Sequence, residues 1–452
     1  MPNLGRIVSL AALALVLASC DFLDRAWDDP LAAVLGSGDK KVKLKGERIP
    51  VLIAEQQLKP DPAVQDLDVA LPEAASNPDW PEPGGYPSHA MQRLALGGSL
   101  KEAWRASIGE GKSKAAKHLA APVVGEGRVY TMDTGSVVRA FNVETGTREW
   151  DIDLKPEDVG KGDLGGGLAY ADGRLFATSQ FGELVAIDAK SGAIAWRRAL
   201  DGPTRAAPTV AGGRVFVVTA DNQLHAVDAK TGQVLWTHAG LAEVTGLVGA
   251  ASPAYDGGIV VVPYTSGEIY ALRADNGRVL WSDTLAAIRR ADAVSGLADI
   301  RGNPVIDHDR VVAVGHSGRM VSIDLRSGGR AWEDSIGGIT QPWVAGSFIY
   351  VLSTENQVIC LTRDDGRVRW LTQLDRWEKP EKKKNSILWV GPILAGDRLL
   401  VAGTNEQLLA LSPHTGEITN TVDVGDPVSV PPIVANGTLY ILTDAGDLKA
   451  YR

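Results

Sequence analysis

The chain has 452 residues, of which 44 % are hydrophobic and 22 % charged. This composition is typical of a soluble globular protein and excludes disordered, collagenous and polytopic membrane proteins. The net charge of −9 gives no support to a nucleic-acid binder. Glycine, at 50 residues, and tryptophan, at 12, are numerous; we therefore expect many tight turns and a small set of large core side chains.

The first element in the chain is a short apolar segment. Arg6 precedes a mostly apolar run at residues 7–17, which is too short to span a bilayer and has the length of a signal-peptide core. The run ends in Leu-Ala-Ser-Cys at residues 17–20, which resembles the bacterial lipobox. We predict that residues 1–19 are a lipoprotein signal peptide and that acyl chains on Cys20 anchor the exported chain to a membrane. The alternative is an ordinary signal peptide with a chance cysteine.

A proline-rich extension follows the cysteine. Eight prolines lie between residues 50 and 87, and no repeated pattern occurs in this region. Proline-rich segments favour extended, stiff conformations. The sequence therefore predicts that residues 20–98 are a semi-rigid tether between the lipid anchor and the rest of the protein.

The remaining chain is organised as a repeat. Tryptophan recurs about every 45 residues, and glycine stands four residues before six of these tryptophans. A proline stands 28 residues before the same position in six repeats, and Asn420 takes the place of tryptophan in one repeat. We predict that these tryptophans dock neighbouring repeats together. They are Trp104, Trp150, Trp196, Trp236, Trp281, Trp332 and Trp370.

Each repeat has the pattern of four short strands. In residues 207–238, β-branched runs are separated by turns rich in glycine, asparagine and aspartate. Units of four strands and about 45 residues are the blades of a β-propeller. The last repeat, which begins at Pro432, ends at Arg452 before its fourth strand, and residues 99–105 contain an anchor tryptophan without the rest of a repeat. We predict an all-β, eight-bladed propeller over residues 99–452, closed by an N-terminal strand that completes the C-terminal blade. An open solenoid is the alternative.

The repeat resembles a known family. A small residue, an acid, a Thr-Gly turn and a tryptophan, here Ala226, Asp228, Thr231, Gly232 and Trp236, are similar to the tryptophan-docking propellers named after pyrroloquinoline quinone enzymes. Two functional classes share these repeats: the quinoprotein dehydrogenases, and the lipoprotein scaffold subunits of the machinery that assembles outer-membrane β-barrels. Dehydrogenases of this kind have adjacent cysteines beside the cofactor, whereas Cys360 stands alone in the repeat, at a position that other repeats fill with alanine or serine.

We find no convincing catalytic or metal-binding motif. The Gly-His-Ser-Gly stretch at residues 315–318 lacks the closing glycine of a nucleophile elbow, and Gly111-Lys112-Ser113 lacks the first glycine of a phosphate-binding loop. The seven histidines show no metal-ligand spacing. We predict no catalytic residue, no metal and no cofactor, and therefore not an enzyme.

The connections between blades are the predicted interaction surface. Blade length is constant and only these connections vary, and variable loops on a rigid scaffold usually carry recognition. Residues 237–252 are apolar for a loop, and residues 282–303 mix apolar and charged side chains. A third connection, residues 371–391, is basic between residues 376 and 384, which is typical of a solvated loop and also of one that touches an acidic partner. The predicted partner-binding residues are Leu241, Val244, Leu247, Val248, Arg289, Arg290, Leu297, Asp299 and Arg301.

The resemblance implies a function and a location. It implies a non-catalytic lipoprotein scaffold that faces the periplasm from the outer membrane and binds the periplasmic POTRA domains of the barrel-forming subunit. The exposed blade edges suggest a further hypothesis, in which they pair transiently with strands of nascent outer-membrane proteins by β-augmentation. By position, Leu247 and Asp299 match residues that the family uses for that contact, whereas Val248 and Arg301 depart from the family's arginine and aspartate. Asp21 resembles an inner-membrane retention signal, so the inner membrane remains an alternative location for the anchor. The alternatives are a quinone-dependent periplasmic dehydrogenase and a propeller of another envelope complex.

Overall fold

The structure is a computed structural model that describes residues 58–156, 165–243, 247, 249–286 and 298–452. Residues 58–452 form one compact unit. The described residues form 34 β-strands, β1 to β34 in chain order, and a single 3₁₀ turn. None of the helical structure in this part of the chain is long and apolar enough to cross a bilayer. The predicted residues Cys20, Val244, Val248, Arg289, Arg290 and Leu297 lie outside the described residues.

Eight four-stranded antiparallel sheets form the blades of a propeller, as predicted. Blades 1 to 4 consist of Val123–Gly125, Arg128–Met132, Val137–Asn142 and Arg148–Asp153 (β2–β5); Gly167–Ala171, Arg174–Ser179, Glu183–Asp188 and Ile194–Ala199 (β6–β9); Thr209–Ala211, Arg214–Val218, Gln223–Asp228 and Val234–Ala239 (β10–β13); and Ala254–Asp256, Ile259–Pro263, Glu268–Arg273 and Val279–Thr284 (β14–β17). Blades 5 to 8 consist of Val305–Asp307, Arg310–Gly315, Arg319–Asp324 and Arg330–Asp334 (β18–β21); Trp343–Ala345, Phe348–Leu352, Gln357–Thr362 and Val368–Gln373 (β22–β25); Trp389–Ala395, Arg398–Gly403, Gln407–Leu411 and Ile418–Asp423 (β28–β31); and Ile433–Ala435, Thr438–Leu442 and Asp447–Tyr451 (β32–β34) with Glu102–Ser107 (β1).

The ring closes in the predicted way. Strand β1 pairs with β34 as the outer strand of blade 8, and Lys101 and Arg452 exchange backbone hydrogen bonds of 2.8 and 2.9 Å. In this pairing Trp104 lies opposite Ala450, and in blade 3 Trp236 lies opposite Ala226. The remaining blades also place a small residue of the third strand opposite the anchor position of the fourth. Their pairs are Ala140 with Trp150, Ala186 with Trp196, Ala271 with Trp281, Ser322 with Trp332, Cys360 with Trp370 and Ala410 with Asn420.

The core lies between the sheets. Inner and middle strands are almost wholly buried, as in Phe348–Leu352, whereas outer strands such as Val234–Ala239 alternate between exposed and half-buried residues. Cys360 is buried against this core and is a free thiol, and its burial raises the pKa of the thiol. It therefore occupies a packing position.

Seven of the eight blades are joined to the next blade by a tryptophan and a glycine. The Trp196 indole of blade 2 donates a hydrogen bond of 3.3 Å to the Ala229 carbonyl of blade 3, and its ring lies on Gly232. A Cβ atom on that glycine would lie 2.8 Å from the ring, closer than real Cβ contacts. The same joint occurs seven times around the ring, with a glycine Cβ position 2.5 to 2.8 Å from the nearest indole atom. The other indole donors and carbonyl acceptors are Trp104 to Val143, Trp150 to Ala189, Trp236 to Ala274, Trp281 to Leu325, Trp332 to Arg363 and Trp370 to Pro413.

The joint between blades 7 and 8 explains the missing tryptophan. The glycine of every other joint belongs to the turn between the third and fourth strands of the next blade. Blade 8 has no such turn, because its third strand ends the chain and its fourth is β1. Asn420, which is exposed in β31, therefore has no turn on which an indole would dock.

The extension differs from the predicted tether from Leu58 onward. Residues 75–96, here called the plug segment, lie across the end of the ring that carries the turns between first and second strands. Trp80 exchanges backbone hydrogen bonds of 2.8 and 2.9 Å with Val124, and its indole, which is 2 % exposed, stacks on Trp343 at a centroid distance of 6.5 Å. The prolines thus keep the segment extended while it packs against the ring.

The plug segment touches all eight blades. It makes backbone or side-chain hydrogen bonds with seven of them, and the buried Glu82 carboxyl lies against Thr209 and Val210 of blade 3. These contacts close one end of the central channel. In the order of the other blades, the partners are Trp80 with Val124, Pro81 with Tyr170, Pro87 with Tyr255, Ser88 with Ile306, Gln92 with Trp343, Leu94 with Leu394 and Asn77 with Asn436.

The basic connection between blades 6 and 7 is a hairpin and not an irregular loop. Strands Trp377–Lys379 (β26) and Lys384–Ser386 (β27) pair across the 3₁₀ turn Pro380–Lys382. Lys383 has a left-handed backbone (φ 46°), which lets the turn reverse direction. The described hairpin is exposed apart from the half-buried Trp377.

The tryptophan joint predicts a specific loss of stability. Gly213 and Gly232 lie in the same blade with φ near +73° and +72°, but a Cβ atom would meet nothing within 4 Å at Gly213 and the Trp196 ring at Gly232. Gly213→Ala should lower the free energy of unfolding by about 1 kcal/mol, the cost of a left-handed alanine. Gly232→Ala should lower it by about 2–4 kcal/mol, because overpacking adds to that cost. Urea unfolding of both variants measures the difference, and equal losses would contradict a docked joint.

Candidate functional site

One face of the ring carries the connections between blades. The residues that follow the outer strands bond to the turns between second and third strands: Gly240 donates to the Asn222 carbonyl at 2.9 Å, and Leu285 to that of Gly267 at 2.7 Å. We call this side, with residues 240–243, 247, 249–253, 285–286, 298–304 and 374–388 among the described parts of its connections, the connection face. It lies opposite the end of the channel that the plug segment closes.

Leu241 is the most exposed large apolar residue in the described part of the chain. Its side chain is 65 % exposed, yet its backbone is held on both sides: its N–H donates to Glu268 Oε2 at 2.7 Å, and its carbonyl accepts from Asn222 Nδ2 at 2.6 Å. Holding the backbone reduces the entropy lost when a partner covers the side chain. Leu241 therefore has the properties expected of a contact residue.

Asp299 differs from its predicted role as a direct contact. The residue is 1 % exposed, and its Oδ2 accepts a hydrogen bond of 2.8 Å from the Leu247 N–H. Its carbonyl accepts another, of 2.9 Å, from the His316 N–H. Burial raises the pKa of Asp299 to about 6, against the smaller lowering effects of the Leu247 N–H, Arg301 and Arg205. Asp299 thus links two connections and positions the half-buried Leu247.

Arg301 faces the centre of the ring. It is half-buried, and burial lowers the pKa of its guanidinium, against the effect of Asp299. Gly249 allows a close approach here, since a Cβ atom at Gly249 would lie 3.4 Å from both Arg301 Nε and His118 Nδ1. These two side chains therefore flank one point on the wall of the channel.

The channel forms a cavity of about 190 Å³ below the connection face. The plug segment provides its floor with Trp80, Pro83 and Gly84, and Trp343 and Pro392 are among its apolar walls. Four cationic side chains line this central cavity: Lys112, Lys117, Arg205 and Arg301. No aspartate or glutamate is among its lining residues in the described part of the chain. The cavity is therefore positive in a protein of net charge −9.

Sequence reasoning missed this cavity, although the repeat contains a signal for it. Arg205 and Arg301 both stand three residues before the proline that opens their blade. That position lines the cavity in six of the eight repeats, because it lies where each connection enters its inner strand. The six residues are Leu119, Arg205, Ala250, Arg301, Ile339 and Ser429.

Comparisons with known proteins agree on one family. The family model described as outer membrane protein assembly factor BamB matches residues 134–372 and 375–452. Proteins of that name from Salmonella typhimurium and Escherichia coli are 29 % and 28 % identical over 352 and 349 residues. The alignments cover 77 % and 76 % of this chain, and 87 % and 86 % of the relatives.

Solved structures agree on the fold. BamB from Moraxella catarrhalis has a TM-score of 0.65 at 20 % identity and covers 78 % of this chain and all of its own. Quinohemoprotein alcohol dehydrogenase from Comamonas testosteroni has a TM-score of 0.63 at 16 % identity, with 86 % and 83 % coverage. Because the BamB structure and the dehydrogenase structure have similar TM-scores, the fold by itself does not distinguish a scaffold from a dehydrogenase.

The buried carboxyl of Asp299 predicts a pH dependence of stability. Its pKa in the folded protein, about 6, lies above the ordinary value of 3.8, so the fold is stabilised where the group is protonated. This contribution is nearly complete at about pH 3 and is lost as the pH rises through the folded pKa to about pH 7. Over that interval the free energy of unfolding of the wild type should fall by about 3 kcal/mol relative to Asp299→Asn, which cannot ionise.

Urea unfolding at a series of pH values tests this expectation. Asp364→Asn is the matched control, because the Asp364 side chain is 87 % exposed. Its curve should run parallel to that of the wild type. A parallel curve for Asp299→Asn as well would show that the Asp299 carboxyl does not titrate in this range.

Proposed function

Because the chain belongs to the family of outer membrane protein assembly factor BamB, we propose that it is a non-catalytic scaffold subunit of the machinery that assembles outer-membrane β-barrel proteins. Its contact with the complex is the connection face, which binds the periplasmic POTRA domains of the barrel-forming subunit. The observation that carries this proposal is the family match, joined to an exposed leucine on a fixed backbone at Leu241.

The structure of the connection face supports a docking role. Leu241 supplies an exposed apolar side chain, and Leu247 lies on the neighbouring part of the same connection, held to Asp299. Apolar anchors on a rigid frame bind with little loss of conformational entropy. Val244, Val248, Arg289, Arg290 and Leu297 belong to the same two connections by sequence, and we retain them as proposed contacts.

Nascent strands are the proposed second partner. The outer strand of each blade is a sheet edge, and several outer strands expose large apolar side chains, among them Val234 and Leu235 in β13 and Val279 and Leu280 in β17. An extended peptide that adds to such an edge gains backbone hydrogen bonds and apolar contacts together. Transient pairing at these edges would hold an unfolded barrel strand without any chemical step.

A dehydrogenase activity is not favoured. The dehydrogenase that shares the fold is 16 % identical, and the adjacent cysteines typical of that class have no counterpart in a chain whose two cysteines are Cys20 and Cys360. Cys360 is buried in a packing position opposite Trp370. The family match favours the scaffold.

Replacing the exposed leucine should weaken the complex. Leu241→Glu places a charge where an apolar anchor is proposed, and we expect about tenfold weaker binding to the barrel-forming subunit, with an unchanged urea midpoint. Leu67→Glu is the matched control, since Leu67 is 45 % exposed and lies outside both the connection face and the outer strands. Co-purification from solubilised membranes, followed by titration of the POTRA domains, measures both. If Leu241→Glu binds the POTRA domains as tightly as the wild type, Leu241 is not part of the interface.

The location is a separate proposal: Cys20 carries the lipid that holds the protein on the periplasmic face of the outer membrane. Cys20→Ser removes the acylated sulfur, so the protein should move from the membrane fraction to the soluble periplasmic fraction. Separation of inner and outer membranes on a density gradient identifies the membrane that holds the wild type. Retention of the serine variant in the membrane fraction at the wild-type level would contradict a lipid anchor at this residue.

A further inference from the structure

Cationic side chains from distant parts of the chain line the central cavity. Lys112 and Lys117 come from the connection before blade 1, Arg205 from that before blade 3 and Arg301 from that before blade 5. These connections enter the ring two blades apart. The cations therefore reach one cavity from three separate connections.

Counter-charges in the described residues balance only part of this set. Lys112 Nζ lies 3.6 Å from Asp444 Oδ1, and Asp299 interacts with both Arg301 and Arg205. Lys117 is exposed and forms no ion pair within the described part of the chain. Among the described residues, two carboxylates thus face four cations, so positive charge exceeds negative charge in this set.

The cations are close enough to disfavour one another. Burial lowers the pKa of Lys112 against the raising effect of Asp444, and Arg301 adds a smaller lowering. Burial also lowers the pKa of His118 to about 4, and Arg301 and Lys112 both add to this effect, against the Gly166 carbonyl. A cleft lined by charges of one sign and walled by apolar groups concentrates the electrostatic potential. An anion in the mouth would relieve this repulsion.

The shape of the cavity admits a ligand from one side. The plug segment closes the floor with Trp80, Pro83 and Gly84, so entry is from the connection face. Part of the wall is apolar, with Ile339, Val430 and Pro431 among its residues. A ligand that fits has negative charges spaced around the mouth and a less polar part that reaches inward. A polypeptide with spaced carboxylates can pair with cations that come from three separate connections and can place less polar side chains against the apolar wall.

We propose that the central cavity binds an acidic peptide segment of a partner protein, whose aspartate and glutamate side chains pair with Lys112, Lys117, Arg205 and Arg301. The segment enters from the connection face and stops at the plug. This inference goes beyond the function proposed above, because it concerns the cavity and not the apolar contacts around Leu241. The proposed partner is any envelope protein that has such an acidic segment.

The test measures binding of a short fluorescein-labelled peptide of alternating glutamate and alanine to the full chain in detergent. Fluorescence anisotropy should show binding that weakens with added salt. Lys117→Gln combined with Arg205→Gln should weaken it at least about tenfold, and this pair is chosen because neither residue forms a salt bridge in the described part of the chain. Lys379→Gln combined with Lys382→Gln, in the exposed β26–β27 hairpin, removes the same charge elsewhere and should leave the affinity unchanged.

Several outcomes would overturn the proposal. Equal weakening by both double variants would mean that the peptide follows overall charge and not the cavity. If a glutamine–alanine peptide binds as tightly as the glutamate–alanine peptide, the carboxylates do not contribute to binding. Displacement of the peptide by free glutarate or by inorganic phosphate at the peptide's own concentration would assign the cavity to a small anion, and preferential binding to vesicles of anionic lipid would assign it to a membrane surface.

A second measurement uses the wild-type protein, so it does not depend on how the variants fold. A carbodiimide joins a lysine amine to a carboxylate in contact with it, and mass spectrometry locates the joined residues. Crosslinks from the peptide to Lys112 or Lys117 support the proposal, whereas crosslinks confined to Lys379, Lys382, Lys383 or Lys384 refute it. Leu241→Glu separates the two proposals, because it should weaken the complex with the barrel-forming subunit and leave peptide binding intact.

Discussion

The contact between an indole and a glycine is the interaction on which the ring depends. At each joint the tryptophan of one blade donates its N–H to a carbonyl of the next and lies flat on a glycine that has no Cβ to hold it away, as Trp196 does on Gly232. A buried indole needs such an acceptor, and the close approach needs glycine. Seven copies of this contact fix the angle between blades, and the eighth junction lacks it because blade 8 takes its fourth strand from β1 and so has no turn between its third and fourth strands.

Fixed angles between blades give the central channel a fixed shape, and the plug segment of the extension packs across one end of it. The plug segment contacts all eight blades and buries Trp80 against Trp343, so one end of the channel is closed from within the same chain. The other end opens among the connections. Because the blades supply the rigidity, the connections can vary in length and composition without loss of the fold. This division explains why the candidate contacts and the cationic cavity both occur on one face.

Buried polar groups organise that face. Asp299 has almost no exposed surface, yet it sets the position of Leu247 through its backbone N–H and lies within the electrostatic influence of Arg301 and Arg205. The face therefore combines an apolar rim near Leu241 with a positive centre. Two kinds of partner surface, one apolar and one acidic, fit these two regions without competing for the same side chains.

The amino-acid sequence alone determined the fold class, the number of blades and the closure by β1, because every joint uses the same residues at the same spacing and a repeated contact leaves a repeated pattern. It also placed Cys360 in the core, since the other repeats carry small residues there. The packing of the plug segment, the burial of Asp299 and the meeting of Lys112, Lys117, Arg205 and Arg301 were decided only by the tertiary structure. Each of these depends on residues from unrelated connections, which the ring brings together at its centre and which no local spacing relates.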